Sequence, residues 1–225
     1  MENEVNNYIF ILISIVSVLV IVNQVLISSL GSFVGSGSST FSSMDLEDVK
    51  IEEIQSTAQA IALLFPVNKI KTEEDAIKIM IPTGTPDYGN SMGVSFDDPV
   101  IALTKLERAY PALKQQAKQD PKLWQRYLNL AAKPTGISCE FCCGIGAQGI
   151  DSKGELRCGC SHNPGVHSVT LWLMKNTDYT DAEILKEVMK WKTIWFPRDM
   201  TKLALELAGK DASEIKNLPG MVGGC

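Results

Sequence analysis

Five of the six cysteines in this 225-residue chain, and both of its histidines, fall between residues 139 and 167. They form two short arms, Cys139-x-x-Cys142-Cys143 and Cys158-x-Cys160-x-His162, with His167 five residues further on. Thiols and imidazoles crowded in this way point first to a shared metal centre, with disulfides as the main alternative, and either would bring the two arms together. The segment between them, Gly146–Arg157, is polar and turn-forming, which predicts a hairpin or loop that folds one arm back on the other.

The ligand chemistry points first to a metal ion. The x-x spacing lets Cys139 and either Cys142 or Cys143 face one ion, and Gly159 lets Cys158 and Cys160 approach the same centre. The candidate ligands are Cys139, Cys142, Cys143, Cys158, Cys160 and His162, with His167 as a supporting group beside them. That set exceeds one tetrahedral site. Zinc is favoured, while thiolate-rich sites with histidine also suit copper or an iron–sulfur cluster. Two further readings are disulfide stapling and thiol–disulfide exchange, the latter because Cys160 precedes a predicted helix start and Cys139-x-x-Cys142 has dithiol spacing. Cys225, the last residue, is read as outside the site.

Residues 8–30, YIFILISIVSVLVIVNQVLISSL, carry no charge and are long enough to span a bilayer as a helix. A seven-residue tail precedes this run, and a Gly/Ser-rich linker, residues 31–43, follows it. The expected organisation is therefore a transmembrane anchor at 8–30, a tether at 31–43, a helical domain at 44–218 and a flexible tail at 219–225. The tether places the domain outside the cytoplasm, and the anchor helix could also associate with copies of itself. The net charge of −5, with no basic stripe, argues against a nucleic-acid partner.

Within the domain, apolar residues at steps of three and four predict a helix over 44–65, and the alternation in Ala76–Ile81 predicts a strand. A turn-rich loop, 82–99, contains Asp87, Asp97 and Asp98 as conceivable oxygen ligands. Asp98-Pro99 and Asp120-Pro121 each read as a cap followed by the first helical residue, opening helices to about Lys118 and Ala132, the first with Ile101, Leu106, Ala109 and Leu113 inward. Asn163-Pro164 reads the same way. Thr180 and Glu183 form a capping box for a helix to about Phe196, stopped by Pro197, and a last helix covers 199–208. The fold class is mainly α: an N-terminal transmembrane helix plus a small helical domain organised around the Cys/His cluster. The aromatic run Trp191–Pro197 reads as core that could also keep the cluster dry.

The stretches Ile137–Gly144 (ISCEFCCG), Cys158–His162 (CGCSH) and Glu183–Pro197, ending KWKTIWFP, resemble a group of uncharacterised membrane-anchored archaeal proteins with a CEYCCG arm, a CGCxH arm and a KWK…FFP segment. The loop at Pro86–Asp97 is similar too. The resemblance covers roughly residues 80–200 and implies a shared fold and cluster, without an activity to carry over. A fainter similarity runs to the thiol subunit of cytochrome c maturation, from which this sequence departs by its extra cysteine and histidine. No catalytic triad, phosphate loop or paired acid–base motif is present, so an enzymatic role has no direct support.

Overall fold

Helix starts are set by local capping chemistry, and most of the fold follows from them. The structure is a computed structural model that describes residues 46, 49–213, 215 and 217–224. The anchor at 8–30, the linker at 31–43 and Cys225 lie outside the described residues. No helix among the described residues is long and apolar enough to cross a membrane.

Nine α-helices are present among the described residues: α1 Thr57–Leu64, α2 Glu73–Met80, α3 Gly89–Met92, α4 Pro99–Lys118, α5 Pro121–Ala131, α6 Glu140–Cys143, α7 His162–Asn176, α8 Asp181–Trp195 and α9 Pro197–Leu207. Their only β feature is a single antiparallel bridge between Ile150 and Leu156. It closes the predicted hairpin between the cysteine arms, with Asp151 Oδ1 accepting from the Lys153 and Glu155 amides. The mainly helical class is as expected, and two of the capped starts are realised in detail. Asp120 accepts from the Lys122 and Leu123 amides ahead of Pro121. Thr180 and Glu183 satisfy each other's backbone donors, about 1 kcal/mol of helix stability.

Several expectations are corrected. Ala76–Ile81 is not a strand: Ala76–Met80 lie in α2 and Ile81 is its C-cap, because Thr72 and Asp75 make a second capping box whose start signal outweighs a short alternation. The helix expected over 44–65 is shorter. Ile51–Glu53 is a 3-10 turn, Ile54 is extended, and Ser56 starts α1 by accepting from the Gln59 amide. Pro99 opens α4, yet Asp98 makes no side-chain cap. The buried face of α4 is Ala102, Leu103, Leu106, Tyr110 and Ala117; Leu106 is inward as expected, whereas Ile101 is 56% exposed and its neighbours Ala102 and Leu103 point inward instead. Asn163 does not cap α7; it lies inside the first turn, fully buried. The last helix begins at Pro197, so Phe196 alone separates α8 from α9. The described part of the tail makes two backbone contacts with the domain: Val222 N donates to Trp195 O at 2.8 Å and Arg198 N to Pro219 O at 3.2 Å.

The organising element is α7. It is buried along nearly its whole length and packs on α4, α5 and α8. Ser168 ties it to α4 by donating to Leu106 O at 2.6 Å. On the other side α8 and α9 cover α1 and α2. The core runs between these groups through Tyr127, Leu130, Val169, Leu173, Leu185, Trp191 and Trp195. Each such large apolar side chain contributes about 1.5–3 kcal/mol on burial. The cysteine arms sit at one end of this core, between the N-terminus of α7 and the C-terminal turn of α8.

Candidate metal centre

The first arm is built on one helical turn. Cys139 precedes α6 and Cys143 ends it, so four residues of helix bring their sulfurs to one side, 3.6 Å apart. Gly144 then leaves the helix with φ +66°, a backbone that side chains other than glycine rarely adopt. Ser138 fixes the return by donating to Gly146 O at 2.7 Å.

The second arm carries no regular secondary structure. Cys158 and Cys160 alternate about Gly159 and so can face the same way. The segment is held by Arg157 N donating to Gly149 O at 2.9 Å and by the Asn163 side-chain amide, which donates to Gly149 O at 2.9 Å and to Cys158 O at 3.3 Å. Asn163 thereby ties the first turn of α7 to the arm it follows, a role different from the cap expected of it.

Together the arms place the sulfurs of Cys139, Cys143, Cys158 and Cys160 within 4.8 Å of one another, an arrangement that could hold a metal ion. A tetrahedral thiolate site with metal–sulfur bonds of about 2.3 Å has sulfur–sulfur edges of about 3.8 Å. The Cys139–Cys143 and Cys139–Cys160 separations, 3.6 and 3.3 Å, are close to that edge. Cys143 and Cys158 are joined as a disulfide with their Cα atoms 7.0 Å apart. The four sulfurs form two layers. Cys139 is fully buried and Cys160 is 9% exposed, while Cys143 is exposed and Cys158 half-buried.

The electrostatics of the inner pair are asymmetric. The Cys139 and Cys160 sulfurs are in hydrogen-bond contact at 3.3 Å, and this contact, reinforced by the His162 side chain and by the Asn163 and His162 amides at the start of α7, holds Cys160 below the usual thiol range. The same contact, with burial, pushes Cys139 up.

The other sequence-nominated residues are placed as follows. Cys142 is not one of the four clustered sulfurs; the helical turn selects Cys143 instead. His162 is fully buried beside the cluster but outside the four-sulfur group, with Nδ1 3.9 Å from Cys160 Sγ. Its Nε2 lies 2.9 Å from Val222 O, a carbonyl that only a protonated Nε2 can satisfy. Metal-binding histidines are commonly oriented by such a carbonyl. His167 lies deeper, fully buried, with Nδ1 3.0 Å from the Tyr127 hydroxyl. Burial pulls it down to about 3, so it is neutral. Asp97 is occupied within its own loop, accepting from the Gly84 amide at 2.8 Å.

Three contributors come from outside the arms. Phe196 packs against His162 and Phe141 in tilted ring contacts, with centroids 4.8 and 5.6 Å apart, so the aromatic segment does pack over both arms. Lys192 is wholly buried and donates to Thr57 Oγ1, Gly136 O and Glu140 Oε1, fastening the first arm to α1 and α8. Gly149 approaches so closely that a Cβ there would lie 2.5 Å from Asn163 Oδ1, His167 Nε2 and Ile137 O. A lysine set among Trp191, Thr193 and Trp195 was the one sequence signal for the second of these.

No protein-family model, curated protein or solved structure matches this chain.

Proposed function

We propose that this chain is a membrane-tethered, extracytoplasmic metal-binding protein whose centre is formed by Cys139, Cys143, Cys158 and Cys160, with zinc as the ion. The observation that carries the reading is the convergence of four sulfurs from two separate arms to within 4.8 Å. Four thiolates on borderline-soft zinc make a closed site without an open position for substrate, so the ion holds the arms in place. The reading favours structure or assembly over catalysis. His162, with Nδ1 beside Cys160, is the natural replacement ligand when one thiolate leaves. Copper and iron–sulfur clusters share the thiolate preference and are the competing occupants.

Tethering rests on the uncharged run at 8–30 and the Gly/Ser stretch after it. The likeness of both arms to membrane-anchored archaeal proteins is part of the same proposal. A second reading, a thiol–disulfide or metal-redox protein at the membrane surface, is favoured by the Cys143–Cys158 disulfide.

Elemental analysis of the full chain, purified under reducing conditions without added metal, tests the proposal. One zinc per chain is expected. Copper, or iron with acid-labile sulfide, would replace zinc in the account. Absence of any bound metal, with no uptake of added zinc by the reduced chain, would overturn it.

A further inference from the structure

The four clustered sulfurs are not equivalent, and the difference has a chemical consequence. Each arm supplies one outer sulfur and one inner sulfur. The outer ones, Cys143 and Cys158, reach solvent and are the pair joined as a disulfide. The inner ones, Cys139 and Cys160, lie beneath them, 3.3 Å apart and in thiol–sulfur contact. His162 and the rings of Phe196 and Trp195 lie against the inner side. A small oxidant arriving from solvent therefore meets Cys143 first.

We propose that the outer pair is a redox gate on the metal centre: a small-molecule disulfide oxidises Cys143 and Cys158 to one another, and the metal is released while Cys139 and Cys160 remain reduced. The proposal rests on the metal reading above. Two exchange steps balance it. The Cys143 thiolate attacks the small disulfide, RSSR, forming a mixed disulfide and expelling one RS⁻. The Cys158 thiolate then attacks the Cys143 sulfur, forming the Cys143–Cys158 bond and expelling the second RS⁻. The two cysteine thiolates lose one electron each, and RSSR takes up both. The ion keeps two of its four thiolates, too few for a closed tetrahedral site, and leaves.

The pairing also explains why oxidation need not dismantle the domain. The disulfide joins the same two arms that the ion joins, so one cross-link replaces the other. Linking Cys139 to Cys143 within the first arm would not do this. The gate toggles metal occupancy with the arms kept together.

The test uses the reduced, zinc-loaded full chain in detergent, titrated with oxidised glutathione in the absence of oxygen. Released zinc is read with a chromogenic chelator, and disulfides are mapped by mass spectrometry after alkylation in denaturant. The expected result is one zinc released per glutathione disulfide consumed, a Cys143–Cys158 link, alkylation of Cys139 and Cys160, and recovery of zinc binding on reduction. Cys142→Ser is expected to leave this stoichiometry unchanged. Retention of zinc once Cys143 and Cys158 are linked would overturn the gate, as would release accompanied by a Cys139–Cys160 link. Either outcome leaves the metal reading standing. Failure of the reduced chain to take up zinc at the outset overturns the metal reading and the gate together.

Discussion

Lys192 and Glu140 form an ion pair whose two members differ in exposure, and that difference predicts unequal costs of removing each. The Lys192 side chain is 0% exposed and that of Glu140 15%, with Nζ and Oε1 3.1 Å apart. In Lys192→Met the remaining charge belongs to Glu140, which can turn to water. Gly136 O keeps its bond from Ser138 N, and the buried ammonium's desolvation penalty disappears. Against this stand three lost charge-assisted hydrogen bonds, for a net cost of about 2 kcal/mol. In Glu140→Gln the remaining charge is a wholly buried ammonium, and uncompensated buried charges cost about 3–5 kcal/mol. For a domain of this size the melting temperature should fall by about 4–8 °C in the first variant and about 6–20 °C in the second.

The assay is thermal or guanidinium unfolding of both variants under one fixed metal condition. The Glu140→Gln variant also carries a pH signature. Burial holds Lys192 below its ordinary value of 10.5, so the unfolded chain binds more protons than the folded one over that interval, and stability rises with pH toward 10.5. Equal costs, or a Lys192→Met variant less stable than Glu140→Gln, would refute the argument that exposure decides which partner matters.

Further outcomes follow from the centre's surroundings. Gly149→Ala drives a methyl to 2.5 Å from a backbone oxygen and two buried side-chain atoms and should cost about 1–3 kcal/mol in chemical denaturation; a neutral effect would mean that the arms do not pack this closely. His167, pulled down to about 3 by burial, keeps its full contribution above its unfolded value near 6.5. Stability should fall by about 4 kcal/mol as the pH drops from there to 3, because the unfolded chain takes up the proton first. His167→Phe should flatten that part of the acid limb relative to the parent, and an unchanged pH profile would remove His167 from the account.

Legibility in the sequence tracked the range of the interactions involved. Asp120-Pro121 and Thr180–Glu183 announced their helices because a cap is local chemistry within four residues. Ala76–Ile81 misled because six residues of alternation satisfy a strand pattern, whereas the deciding contact, Thr72 with Asp75, lies just upstream. The two arms were legible because their ligands are close in sequence. The choice of Cys143 over Cys142 was not, since it depends on residues 140–143 forming a helical turn. The aromatic run holding Phe196 hinted at a cover for the cluster, but nothing local announced that Val222 would reach His162, or that Lys192 would reach Glu140. Those contacts join segments dozens of residues apart and exist only once α7 and α8 have packed.

The most direct test of the central claim is cobalt(II) substitution of the reduced full chain, read by visible absorption. The account predicts the intense d–d and thiolate charge-transfer bands of a four-sulfur tetrahedron at one cobalt per chain, retained in Cys142→Ser and lost or replaced by a weaker spectrum in Cys160→Ser. A spectrum indifferent to Cys160→Ser, or abolished by Cys142→Ser, would contradict the assignment of Cys139, Cys143, Cys158 and Cys160 as the metal centre.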